Sequence, residues 1–109
     1  MKSLKVIFNK NKVTVPGRSL PAFCRKNHVK KMGIFGSILT DRFRSDSDVD
    51  VLVEFESGKA PGYFGMARLE RELSKMLGGR KVDLRTPAEL SRYFRNQVLK
   101  SAEYVYGRA

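Results

Sequence analysis

Three aspartates and a glycine–serine pair upstream of them are the residues whose types and spacing suggest chemistry. Asp48 and Asp50 stand two apart in a run that sets Val49, Val51, Val53 and Phe55 against Asp48, Asp50, Leu52 and Glu54. Period-two alternation marks a strand, on which residues i and i+2 share a face with Cα atoms roughly 6–7 Å apart. Two carboxylates so placed mainly repel unless a cation lies between them. Asp83 alternates with Val82 and Leu84 in the same way, and on a neighbouring strand it would lie about 4.8 Å off in the pairing direction. Such a cluster suits Mg²⁺ or Mn²⁺ and leaves positions open for triphosphate oxygens, and two ions roughly 3.5–4 Å apart stabilise the attacking and the leaving oxygen together. Gly36 adds a place where backbone can approach a phosphate, and Ser37 a hydroxyl beside the free N–H groups of a helix start.

These residues need elements to hold them. Residues 48–55 read as the most clearly patterned strand, and residues 32–35 as a strand that turns at Gly36-Ser37 into a short helix carrying Ile38, Leu39 and Phe43. Met66, Leu69, Leu73, Met76 and Leu77 trace one face of a helix over residues 64–77, stopped by Gly78-Gly79. Residues 80–85 form a strand, and Thr86-Pro87-Ala88-Glu89 fits a capping box with proline at the first position of a final helix through Leu90, Phe94 and Val98. A short amphipathic helix spans residues 19–27, with Leu20, Phe23 and Cys24 inward, and Val6-Ile7-Phe8 with Val13-Thr14-Val15 reads as a hairpin or a leader. The expectation is an α/β (α+β) domain over residues 19–109, one small mixed sheet with helices packed on it, preceded by a segment 1–18.

Composition narrows the rest. At 109 residues the chain matches one compact domain with little room for a second, and 41% hydrophobic content with seven Phe and four Tyr supports a core. Apolar runs fall far short of the ~20 residues a membrane span needs, and the first residues lack the apolar stretch of a signal peptide. With the single Cys24 unable to form an internal disulfide, a cytoplasmic location is expected. A net charge of +11 favours phosphates, nucleic acid or an acidic partner.

Gly33-Ile34-Phe35-Gly36-Ser37, then Phe43-Arg44-Ser45-Asp46-Ser47-Asp48-Val49-Asp50-Val51-Leu52-Val53-Glu54-Phe55, then Val82-Asp83-Leu84-Arg85-Thr86-Pro87, resemble the minimal branch of the DNA polymerase beta type nucleotidyltransferase superfamily. The likeness covers about residues 20–105. It implies that fold, with Gly36 and Ser37 on the triphosphate, Asp48 and Asp50 ligating metal, and Asp83 completing the metal site and taking the acceptor proton. It implies ATP or another NTP as substrate, with Mg²⁺ or Mn²⁺. Many relatives carry an arginine three residues after the motif serine; Thr40 stands there, with Arg42 and Arg44 as the nearby cations. Members of the branch commonly act as antitoxins that inactivate a helical HEPN ribonuclease toxin by transferring AMP to a tyrosine. A chain this short leaves the acceptor's scaffold to a partner protein.

Blander readings compete. Counting an EF-hand from Asp46 puts Val51 where glycine and Ser57 where glutamate are required, so a calcium loop does not fit. Cys24 and His28, four apart, lack further metal ligands and fit core packing and a helix end. Lys10, Lys12, Arg25, Lys26, Lys30, Lys31, Arg80, Lys81, Arg92 and Arg95 offer a nucleic-acid surface or an ordinary solvated one. Tyr104-Val105-Tyr106 forms a tail suited to core or partner contact. The alternative function is a catalytically weak module that neutralises a toxin, or holds nucleic acid, by occlusion.

Overall fold

The structure is a computed structural model and describes residues 5–8, 13–16, 18–44 and 46–107. Strands β1 (Lys5–Phe8) and β2 (Val13–Pro16) pair antiparallel as a separate two-stranded sheet. Helix α1 (Ser19–Lys26) leads to β3 (Val29–Phe35), β4 (Val49–Phe55), α2 (Tyr63–Met76), β5 (Val82–Arg85), α3 (Arg92–Ser101) and β6 (Glu103–Tyr106). The four later strands form one mixed sheet in the order β5-β4-β3-β6, with β4 and β5 parallel and the other pairs antiparallel. The α+β architecture is the one the alternation and helical periodicities imply.

The two faces of this sheet do different work. One carries Met32, Ile34, Val49, Val51, Val53, Val82 and Leu84, buried against Leu20, Phe23 and Cys24 of α1 and Leu69 and Leu73 of α2. The other carries Phe35 and Leu52, which pack with Leu90 and Val98 in a smaller cluster beneath α3. Leu52, on the face of the acids in the alternation, is thus the apolar footing of the face that carries them. Burial holds the Cys24 thiol up at about 12, and exposed His28 ends α1 in a left-handed conformation, so the two serve packing and helix termination.

Four local expectations are corrected. The helix after Gly36 is a single 3-10 turn, Gly36–Leu39, because extended Thr40 stops it and its hydroxyl donates to the Ser37 carbonyl at 2.8 Å. Phe43 reaches the core from the following loop, under the Arg80 guanidinium at 4.9 Å. The final helix is split: Pro87–Glu89 is a 3-10 turn, Leu90 turns extended to drop its side chain into the smaller core, and α3 restarts after Ser91. Arg95 donates to the carbonyls of Pro87 and Leu90 across this break. The strand expected at residues 32–35 begins at Val29, since the left-handed turn at His28 launches it early. The aromatic tail is edge strand β6, paired with β3; a Cβ on Gly33 would sit 3.1 Å from the Glu103 carbonyl oxygen, so glycine there lets β6 approach.

A carboxylate ties α2 to the other edge. Glu70 Oε2 accepts the Leu84 backbone N–H at 2.8 Å, pairing a donor of edge strand β5. Hydrogen bonds to charged groups contribute about 1.5–3 kcal/mol. Glu70→Ala is therefore expected to lower the melting temperature by at least 4 °C, at roughly 4–8 °C per kcal/mol for a domain near this size; an unchanged melt would show that water replaces the carboxylate.

Candidate active site

Asp50 is the centre of the arrangement. It lies in register with Phe35 of β3 on one side and with Asp83 of β5 on the other. Neighbouring strands run about 4.8 Å apart and register partners share a face, so the Asp50 and Asp83 side chains rise together from the sheet. Asp48 lies one residue before β4, in the approach to the strand rather than in it. Its charge still reaches Asp50: the Asp50 carboxyl is pushed up to about 6, first by burial, then by Asp83 and Asp48, with Arg85 opposing. An acid surrounded by like charge and partly withdrawn from water is short of a cation.

Gly36 closes the arrangement from the β3 side. Its φ is +80°, a backbone conformation that favours glycine, and a Cβ there would collide with Asp50 Oδ2. The turn backbone therefore rests directly on the central carboxylate. Phe35, paired with Asp50, delivers the chain to this point, and its ring anchors the strand end in the smaller core.

Arg85 is the site residue that reading the acids alone missed. Its Nε donates to Asp83 Oδ1 at 2.9 Å, and a second guanidinium nitrogen lies 3.5 Å from Oδ2. The signal was in the sequence, an arginine two positions from an aspartate on the same strand face. Asp83 raises the Arg85 pKa in turn. Among the described residues no three acidic, histidine or cysteine side chains are drawn together into a ready metal cage. The donor set fits a hard divalent ion, since it is all carboxylate and its central member is partly buried beside two like charges that a cation would offset.

The two cations near Thr40 sit differently. Thr40 Oγ1 accepts the Arg42 N–H at 3.1 Å while donating to Ser37, and Arg42 lines an open groove of about 510 Å³ with Gly36 and Ser37. Arg44 belongs to the loop before β4: its N–H donates to Ser47 Oγ and its carbonyl accepts from Arg80. Asp46 is exposed ahead of Asp48. The serine expected to cap a helix sits inside the 3-10 turn, so the turn offers the N–H groups of a single short turn rather than the dipole of a long helix. In the basic set, Lys10 and Lys12 fall outside the described residues, Arg80 and Arg95 make the internal contacts given above, and Lys31 pairs with Glu54 at 4.0 Å. Among the described residues no helix is long and apolar enough to cross a membrane.

A mixed four-stranded sheet with carboxylates on its parallel strand pair and a glycine turn against them defines a class, that of α+β domains with an acidic site beside a glycine turn. Residues 18–105 match the nucleotidyltransferase domain family, and the chain belongs to it. Its relatives include the protein adenylyltransferase MntA of Thermococcus cleftensis, 38% identical over 77 residues, 71% of this chain and 75% of that protein. A solved structure of a candidate minimal nucleotidyltransferase superposes with a TM-score of 0.64 at 32% identity, covering 79% of this chain and 85% of the other. A toxin–antitoxin crystal structure with AMP-PNP shares the fold, with a TM-score of 0.67 at 20% identity over 84% of this chain and 73% of that one.

Proposed function

We propose that this nucleotidyltransferase moves AMP from ATP to a protein hydroxyl, that of a tyrosine on a helical HEPN-type toxin, and so acts as an antitoxin. The observation that carries the reading is the position of Asp50, in register with Asp83 and against the backbone of Gly36. The names of the relatives, a protein adenylyltransferase and a toxin–antitoxin complex, point the same way. Asp48, Asp50 and Asp83 would hold Mg²⁺ or Mn²⁺, which supplies charge neutralisation at the triphosphate.

The rest of the chemistry belongs to the chain. Backbone at Gly36 and the Ser37 hydroxyl receive the triphosphate, and Arg42 meets its charge from the groove. The acceptor oxygen bonds to the α-phosphorus, the bond to the pyrophosphate oxygen breaks, and the hydroxyl proton passes to the Asp83 carboxylate. Arg85 holds that carboxylate in position until the substrates arrive.

Incubation with the partner toxin, Mg²⁺ and ATP labelled at the α-phosphate should place label on the toxin, and EDTA should prevent it. Neutralisation without label across all four nucleotides and both metals would reject transfer and leave occlusion as the mode of action. The occlusion reading rests on Thr40, whose hydroxyl is engaged inside the turn where many relatives offer a cation. It further requires that Asp48→Asn with Asp50→Asn leave neutralisation intact.

A further inference from the structure

The groove beside Gly36 extends away from the acids, under α3, into a region that the phosphate chemistry does not use. Beyond Gly36, Ser37, Thr40 and Arg42, its walls are Phe94, Gln97 and Ser101 of α3, with Leu39 and Val98. Its volume, about 510 Å³, falls in the range of roughly 300–1,000 Å³ typical of small-ligand sites. Phe94 is 45% exposed although it is an aromatic beside a core, and its ring and that of Phe35 make a T-shaped pair with centroids 6.5 Å apart. The contact packs one part of the ring, and the exposed remainder leaves ring surface open to a planar partner. Gln97 follows Phe94 by three residues, close to one helical turn along α3, and presents an amide donor and acceptor to the same space.

We infer that this groove is the nucleobase site, in which Phe94 stacks on the base and Gln97 reads its edge. The inference rests on the triphosphate reading given above and deepens it. Stacking is tolerant of base identity, because every base has a π face, so affinity would come from Phe94 and preference from Gln97. A glutamine amide matches the adjacent donor and acceptor of adenine, whereas guanine offers two acceptors on the corresponding edge. The groove therefore selects adenine nucleotides. Arg42, on the Gly36 side of the same groove, is left to the phosphates.

The test is titration of the full chain with Mg²⁺ complexes of ATP, GTP and inorganic tripolyphosphate. Stacking is worth about 1–3 kcal/mol per base, so F94A is expected to weaken ATP binding by about tenfold with tripolyphosphate binding unchanged. F94L retains an apolar anchor for α3 but no π face, and should show the same selective loss; F94W should retain ATP affinity. Q97E keeps an acceptor and loses the donors, and should reduce the preference for ATP over GTP without altering tripolyphosphate binding. ATP binding by F94A and F94L equal to that of the parent would overturn the groove assignment alone. A parent chain that binds neither ATP nor tripolyphosphate would overturn the triphosphate reading, and the groove assignment with it.

Discussion

Asp50→Asn is expected to cut nucleotidyl transfer about 10³-fold while making the metal-free domain more stable, both effects arising from one carboxylate. In the fold the Asp50 carboxyl titrates at about 6 against an ordinary 3.8, raised by burial and then by Asp83 and Asp48. Between those two values the folded chain binds more protons than the unfolded one. Stability therefore falls as pH rises through that window and stays lower above it. The two-unit shift corresponds to about 3 kcal/mol at 1.36 kcal/mol per unit, and screening at a half-exposed carboxyl reduces it to about 1 kcal/mol. Asparagine removes the charge and with it the penalty. In EDTA at pH 8 the variant should melt roughly 4–8 °C above the parent. Below the ordinary carboxylate range, where the parent carboxyl is protonated in both states, the difference should vanish.

Mg²⁺ should raise the melting temperature of the parent more than that of the variant, because binding to the folded state alone stabilises it. The catalytic loss follows from the same group. A metal at developing charge supplies several kcal/mol, so kcat/KM should fall about 10³-fold at 1.36 kcal/mol per decade. A variant that transfers AMP at close to the parent rate, or that melts below the parent at pH 8, would contradict the assignment of Asp50 as the uncompensated centre of the site. Gain of stability on loss of an active-site charge is the expected trade between the two properties.

Much of this was legible in the sequence because burial writes a period into it. The alternation Val49, Val51, Val53, Phe55 located β4, and the stripe Leu69, Leu73, Leu77 located α2 and the core beneath it. The alternation of Asp83 with Val82 and Leu84 likewise put Asp83 forward as the third acid. What the pattern cannot carry is register. Whether Asp50 faces Asp83 or a residue to either side depends on how β4 and β5 slide past each other, and a one-residue slip would send Asp83 to the opposite face. The structure sets Asp50 opposite Asp83. The splitting of the last helix was equally hidden, since a capping box and a proline announce a helix start without saying that one turn will suffice; only the demand of Phe35 and Leu52 for Leu90 explains the break. The β6 strand, four residues long and mostly half-buried, has too little alternation to be read without its partner.

Gly36→Ala is expected to damage transfer more than any substitution that adds so little matter should. The first contribution is conformational: the residue holds φ +80°, and a left-handed conformation costs an L side chain about 1–2 kcal/mol. The second is specific to this position. The added methyl would collide with Asp50 Oδ2 and stand 3.2 Å from its Cγ, so the carboxylate must swing off its place between Gly36 and Asp83. Displacements near 1 Å at a reacting centre cost about 10²-fold in rate, and kcat/KM should drop by that much in protein that is still folded. Gly58 supplies an internal control, having φ +75° with nothing within 4 Å of an added Cβ. Gly58→Ala should show the backbone cost in thermal melts and leave transfer unaffected. If both substitutions lowered activity alike, strain rather than the contact with Asp50 would be the cause. A double-mutant cycle isolates the contact directly: in an Asp50→Ala background the carboxylate is gone, and Gly36→Ala should then cost only what Gly58→Ala costs. Stability is the readout there, because the Asp50→Ala background has no transfer left to measure. Coupling between the two positions in the melts, and its absence between Gly58 and Asp50, is what a turn backbone seated on the Asp50 carboxylate requires.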